Sequence, residues 1–284
     1  MPHGKTAIIT GAIKGIGLAI AKHLASKGIR CALTYYDWLD SLEHMHEVMK
    51  AQGTDYIACS VDLTKQSQVK DFIKKVFDHF GRIDILVNNI ERGGWPIVHG
   101  KYTERQWRLE FETTINAKYF LFKNSLPFLK QNGGGSVINI SSIAGITGRS
   151  GPVGLIFHDC YSLANRAISS LTETWAREAA PEVRVNEIML GLFDTRHGPG
   201  TRGWGLLTEK HKEQLLDHIL LQRTGQPEEV AKCVYFMAEH ATYMTGTVVR
   251  LDGGYVLGGE KVPEVPIGVV DPNAPTYGGS IPPK

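Results

Sequence analysis

Three glycines, Gly11, Gly15 and Gly17, follow the short apolar run Thr6-Ala7-Ile8-Ile9 and precede Leu18, Ala21, Leu24 and Ala25 at helical spacing. A strand, a glycine-rich turn and a helix in that order suit the holding of a dinucleotide pyrophosphate. Glycines let the backbone turn tightly and approach the phosphates, and the helix start offers unpaired N–H groups and the positive end of its dipole. The spacing is G-x-x-x-G-x-G, with Lys14 and Ile16 inside it, rather than G-x-G-x-x-G. By itself the motif also fits a glycine turn that holds nothing.

Hydrophobic periodicity gives the elements around this turn. Strand-like runs fall at 5–9, 30–36, 55–60, 83–89, 136–142, 183–189 and 247–252. Helical patterns lie between them at 18–27, 39–51, 69–80, 104–131, 161–179 and 228–238. Their alternation predicts an α/β fold, a single doubly wound parallel sheet of the Rossmann type with helices on both faces. Such a sheet binds its ligand beyond the carboxyl ends of its strands, where the strand order reverses. The residues ending the strands are therefore the functional candidates: Thr10 to Gly17, Asp62, Asn88 with Asn89, Ser141 with Ser142, and Gly191 to Thr195. This domain spans 1–257. Residues 192–222 leave the alternation and read as a substrate lid, with His197-Gly198-Pro199-Gly200 followed by an amphipathic run over 209–221. Residues 258–284, rich in proline and glycine, read as an extended tail.

Composition removes several function classes. The 284 residues are 42% hydrophobic and 21% charged, enough for a full core without staples. A formal net charge of +2 makes no case for nucleic acid. The 4 cysteines form no C-x-x-C pair, which speaks against zinc or a disulfide framework and for a reducing compartment. No apolar run reaches the length of about 20 residues that a membrane helix needs, and the first strand leaves no room for a signal peptide. A cytoplasmic protein without a membrane partner is expected.

Taken in order, the motifs resemble the short-chain dehydrogenase/reductase family over about residues 5–257. Thr10-Gly11-Ala12-Ile13-Lys14-Gly15-Ile16-Gly17 is similar to its glycine turn, and Asn88-Asn89 to the opening of N-N-A-G. Ser141-Ser142-Ile143-Ala144-Gly145 is similar to its serine segment, and Tyr161-Ser162-Leu163-Ala164-Asn165 to Y-x-x-x-K. Val183-Arg184-Val185-Asn186, Arg223-Thr224-Gly225-Gln226-Pro227-Glu228-Glu229 and Leu251-Asp252-Gly253-Gly254 complete the series. Four departures stand out. Ile90-Glu91 replaces Ala-Gly, placing a carboxylate near the cofactor, and Leu190 replaces a proline. Ser142 and Tyr161 lie 19 residues apart, a longer gap than the family's, whose extra residues read as substrate wall. Asn165 stands at the lysine position.

The resemblance implies hydride transfer between a nicotinamide and a ketone or secondary alcohol, as in 3-oxoacyl reductases. It implies Tyr161 as the acid in reduction and the base in oxidation, Ser142 polarising the substrate oxygen, and Asn116 holding a water in the proton path. Free tyrosine has a pKa of about 10, and an adjacent cation lowers it. Asn165, one helical turn from Tyr161, can bond ribose hydroxyls but supplies no charge. Arg166, about 100° further round the helix, substitutes poorly unless its long side chain curls back. The catalytic set is thus Asn116, Ser142, Tyr161 and Asn165. The cofactor set is Gly11, Lys14, Gly15, Ile16, Gly17, Tyr35, Asp62, Leu63, Asn89, Tyr161, Asn165 and Thr195, with Asp62 beside the adenine and Thr195 on the carboxamide.

Second strands that select NAD end on an acidic residue. Here that place holds Tyr35, with Asp37 two residues on, and Lys14 can attract a 2′-phosphate, so NADP(H) is favoured over NAD(H). The family pairs the helices near 104–131 and 161–179 between subunits, implying a homodimer or homotetramer. The alternative is a dinucleotide-binding sensor or assembly subunit that has lost hydride transfer, and Asn165 is the feature that separates the two.

Overall fold

β1 (Thr6–Ile9) is buried along its whole length inside a seven-stranded sheet. The computed structural model describes residues 4–91, 96–131, 133–195, 202–260 and 262–263. The other strands are β2 (Arg30–Tyr35), β3 (Tyr56–Ser60), β4 (Ile85–Asn88), β5 (Gly135–Ser142), β6 (Val183–Leu190) and β7 (Val248–Leu251). All pair in parallel, in the order β3-β2-β1-β4-β5-β6-β7. The order reverses between β1 and β4, and that crevice is where a doubly wound sheet takes a ligand.

Eight helices carry the argument: α1 (Gly15–Ser26), α2 (Leu42–Lys50), α3 (Gln66–Phe80), α4 (Glu104–Phe111), α5 (Ala117–Lys130), α6 (Asp159–Ala179), α7 (Glu209–His218) and α8 (Pro227–Glu239). Strand residues alternate between two cores. Ile9, Val87, Ile138 and Ile188 pack with α1, α2 and α8. Ile8, Leu86, Val137 and Val185 pack with α3, α5 and α6. Phe122 of α5 stacks on Trp175 of α6, with ring centroids 4.5 Å apart and planes 8° from parallel. Both faces are covered, so the strands read as continuous apolar runs.

Several motif residues hold the frame. Arg184 on β6 donates to the carbonyls of Met237, Ala238 and Ala241 at 2.8–2.9 Å, satisfying the open end of α8. Asn186 donates to Met244 O at 2.8 Å and accepts from Thr247 N at 3.1 Å, fixing the entry into β7. Pro227 opens α8, and Gln226 and Glu229 form a reciprocal cap. Arg223 also grips Glu229, holding its carboxyl at about 2.

The expected helix over 104–131 is not continuous. A wide π-helical turn, Glu112–Asn116, separates α4 from α5. It rotates α5 relative to α4, so that Asn116 is exposed while Lys118 is fully buried. The expected lid and the long Ser142–Tyr161 segment meet in a third apolar cluster. Ile143, Val153, Phe157 and Tyr161 pack there with Leu192, Trp204, Leu215 and Tyr255. The helical part of the lid ends at His218 rather than 221, because Ile219 leaves the helix and buries in this cluster. His197-Gly198-Pro199-Gly200 and tail residues 264–284 lie outside the described residues.

Gly17 is the tightest point of the ligand crevice. A Cβ there would lie 2.2 Å from Gly11 O and 2.8 Å from Asn89 Nδ2. Gly17→Ala is expected to destabilise the fold by about 1–3 kcal/mol in urea unfolding, as overpacking does, and to weaken nicotinamide dinucleotide binding. Gly205→Ala, whose added carbon meets nothing within 4 Å, should change neither.

Candidate active site

The glycine turn is built from positive-φ backbone and fixed from two neighbouring strands. Gly11 (φ 59°) and Gly15 (φ 57°) occupy the left-handed region, where a side chain would be strained. Ala12 N bonds Thr34 O of β2 at 3.0 Å. From β4, Asn89 Nδ2 donates to Thr10 O at 3.1 Å, and Asn89 N donates to Thr10 Oγ1 at 2.9 Å. Asn89 therefore shapes the turn. Thr195 lies against Gly15, 3.5 Å from where a Cβ would stand. Ile16 is partly buried against the first core.

The other cofactor candidates divide. Lys14 precedes α1 in extended backbone and sets its ammonium 3.1 Å from the ring centroid of Trp38, in the loop after β2. This places a cation beside the end of that strand. Tyr35 packs partly on the core, and Asp37 is exposed. Asp62 Oδ1 closes a local turn by accepting from Thr64 N at 3.0 Å and Thr64 Oγ1 at 2.6 Å, so one of its oxygens serves the loop. Leu63 is buried behind it.

The expected catalytic residues lie around the ends of β4, β5 and β6. Ser142 accepts from Ala144 N at 3.1 Å, which leaves its own O–H available to donate. Ser141 instead donates to the buried Glu187 of β6. The loop after Ser142 sits directly on α6, since a Cβ on Gly145 would come within 2.8 Å of Arg166 N. Tyr161, 2% exposed, directs its hydroxyl at Glu91, whose two carboxylate oxygens both lie 3.0 Å away. Asn165 turns its amide back to Tyr161 O at 3.0 Å, and its buried Oδ1 has no partner among the described residues. Arg166 is exposed, and its charge acts weakly on the buried Glu187. Asn116 is exposed at the end of the wide turn that leads into α5.

Three residues that sequence reasoning left out complete the charge pattern. Lys118 of α5 is fully buried and donates from Nζ to Ile90 O at 2.5 Å. Burial pulls its ammonium down to about 8, opposed by the nearby carboxylates Glu91, Glu110 and Glu187. Glu187 is buried with the hydroxyls of Ser141 and Ser169 on Oε1, and burial raises its carboxyl. Glu110 of α4 is fully buried and accepts from Thr114 at 2.8 Å. The signal was in the spacing. Lys118 shares an apolar stripe with Leu121, Phe122, Ser125 and Leu129, and Glu187 interrupts a buried strand. No cluster of metal-ligating side chains occurs among the described residues.

The crevice fits a dinucleotide on its own geometry. Gly17 leaves no room for a side chain beside the turn, and the free Asn165 Oδ1 is a buried acceptor that a ribose hydroxyl can satisfy.

Comparison with known proteins agrees with this geometry. The family described as enoyl-(acyl carrier protein) reductase matches residues 11–256. The 3-oxoacyl-[acyl-carrier-protein] reductase FabG of Thermotoga maritima is 32% identical over 260 residues, covering 89% of this chain and 98% of that protein. Glucose 1-dehydrogenase 2 of Bacillus subtilis is 29% identical, over 89% and 95% of the two chains. Among solved structures, the NADPH-dependent 3-quinuclidinone reductase of Rhodotorula rubra superposes with a TM-score of 0.78 at 27% identity, covering 89% of this chain and 92% of that one. These names share a reaction type and differ in substrate. No described helix is long and apolar enough to cross a membrane. The chain belongs to the short-chain dehydrogenase/reductase family and is an oxidoreductase of the kind that works with a nicotinamide cofactor and a small-molecule substrate.

Proposed function

We propose that the protein is an NADPH-dependent carbonyl reductase that converts a ketone, of the 3-oxoacyl class, to a secondary alcohol. The observation that carries this reading is a single short segment. Asn89 fixes the glycine turn, and Glu91, two residues on, holds the Tyr161 hydroxyl. The cofactor end and the proton-donating end of the site are thereby registered to each other. The bound nicotinamide supplies the hydride. Ser142 donates its hydroxyl to the substrate oxygen, and Tyr161 delivers the proton as that oxygen gains charge. Gly11, Gly15 and Gly17 admit the pyrophosphate, with Ile16 and Thr195 against the turn. Asn165 Oδ1 accepts from the nicotinamide ribose, and Asp62 with Leu63 borders the adenine. The apolar cluster between 143–157 and the lid walls the substrate in. Residues 1–257 form this working domain.

Preference for NADPH rests on Lys14. Its ammonium stands beside the loop after β2, and that strand ends on Tyr35 rather than on a carboxylate. The names of the similar 3-oxoacyl and quinuclidinone reductases point the same way. A cytoplasmic location belongs to this reading, as all 4 cysteines are free. So does a homo-oligomer, because Trp107, Tyr119 and Leu163 are exposed on the helices expected to pair.

Fluorescence titration should show NADPH binding more tightly than NADH, and Lys14→Ala should erase most of the difference. Equal binding by the wild type would remove the 2′-phosphate assignment. With acetoacetyl-coenzyme A as substrate, Tyr161→Phe should lower kcat by about 10²–10⁴-fold, the usual contribution of positioned acid–base groups, while leaving NADPH binding within a few-fold. Light scattering should give a dimer or tetramer, and a monomer would overturn the assembly assignment.

A further inference from the structure

Tyr161 carries no cation one turn along its helix, yet its hydroxyl is not idle. Both oxygens of Glu91 lie 3.0 Å from it. Glu91 is partly exposed, so it touches both water and the buried phenol. Immediately behind it, the Lys118 ammonium rests on the carbonyl of Ile90, the residue before Glu91. The phenol thus meets the carboxylate directly, and the ammonium is held on the backbone of the residue next to it.

We propose that Glu91 is a catalytic residue of this enzyme, the proton relay between water and Tyr161, and that Lys118 is the positioning residue whose buried charge holds that relay in place. This rests on the carbonyl-reductase reading and deepens it. In reduction the substrate carbon takes a hydride, with two electrons, and its oxygen takes the proton of Tyr161. The phenolate then takes a proton that Glu91 has collected from water, and Glu91 returns to carboxylate. One proton from solvent enters per carbonyl reduced. In oxidation every transfer reverses, with Glu91 accepting through Tyr161 the proton of the alcohol. While Tyr161 lacks its proton, two negative oxygen groups stand together, and Lys118 is the cation placed to offset them.

The groups facing Lys118 are Glu91 after β4, Glu110 on α4 and Glu187 on β6. The charge of Arg166 acts weakly on Glu187, and Cys160 faces Glu110 with its thiol pushed up to about 12, chiefly by burial. Among these, Lys118 is the group brought to about 8 from an ordinary 10.5. Below pH 8 both the folded and unfolded forms hold its proton. Between about 8 and 10.5 only the unfolded form does, so stability rises with pH through that window.

Two measurements test the relay, the first without any cofactor. Urea unfolding of the wild type should show that rise. Lys118→Met should abolish it. Glu91→Gln removes the foremost attraction that keeps the ammonium protonated, so its rise should begin at lower pH. In the second, reduction of acetoacetyl-coenzyme A by NADPH, Glu91→Gln should cut kcat about 10²-fold with NADPH binding kept. The wild-type rate should fall above about pH 8 as Lys118 loses its charge, and that fall should disappear in Lys118→Met. Glu91→Gln, at a partly exposed position, carries both measurements should Lys118→Met not fold. If Glu91→Gln matches the wild type in kcat and in its stability profile while Tyr161→Phe is inactive, the relay is wrong and the reductase reading stands. If Tyr161→Phe retains full turnover, the reductase assignment of the site is what fails.

Discussion

Everything in the crevice depends on one steric condition, the absence of a side chain at Gly17. The carbonyl of Gly11 and the amide of Asn89 occupy the place where a Cβ would be. Because they do, the start of α1 lies against the end of β4 and not merely after β1. The glycine turn is pinned from β2 through Thr34 and from β4 through Asn89. Two independent anchors give the phosphate-holding backbone little freedom, which is what pre-organised N–H donors require. The same contact carries β4 straight into Ile90 and Glu91, so the carboxylate that meets Tyr161 inherits its position from the glycine turn.

The second organising element is electrostatic. A fully buried ammonium is costly unless oxygens surround it. Lys118 meets this with the Ile90 carbonyl and with the charge of three carboxylates, from the loop after β4, from α4 and from β6. The wide turn Glu112–Asn116 makes the arrangement possible. Without its extra residue, α5 would continue the rotation of α4, and position 118 would fall on a different face. An irregular turn in a long helix is commonly found where function has fixed a side chain. Here it exchanges an exposed Asn116 for a buried Lys118.

The fold was legible because local and tertiary signals agree. β-branched runs bounded by helical periodicity gave the strands of the sheet to within two residues at each end. The V-R-V-N and R-T-G-Q-P-E-E segments were legible as motifs, and their role proves architectural: Arg184 and Asn186 clamp the end of α8, and Arg223 and Glu229 build its start. The glycine turn could likewise be placed from spacing alone. The charged centre was harder to read. Lysine in an amphipathic helix is read as a solvated residue, and only its place on the apolar stripe contradicts that for Lys118. Glu91 was visible as a carboxylate in an unusual place. Its partner Tyr161 lies 70 residues on, and no periodicity connects two residues across that distance.

The substitution at position 165 and the carboxylate at position 91 belong to one physical problem. A lysine beside a tyrosine acts by charge: it stabilises the phenolate and leaves the proton to find its own route. Under the proposed function, Asn165 keeps the hydrogen-bonding half of that role and drops the charge. A carboxylate set against a bare phenolate would repel it, so in the proposed relay Glu91 serves Tyr161 as a group that takes and returns a proton, with a cation near enough to limit the accumulated charge. Lys118 is such a cation, delivered from a different helix onto the carbonyl of the residue before Glu91. In the proposed relay, proton acceptance lies next to the phenol and the positive charge lies on the neighbouring backbone. Moving the charge off α6 also frees the face around Asn165 for neutral hydrogen bonding, consistent with a buried amide oxygen left open there.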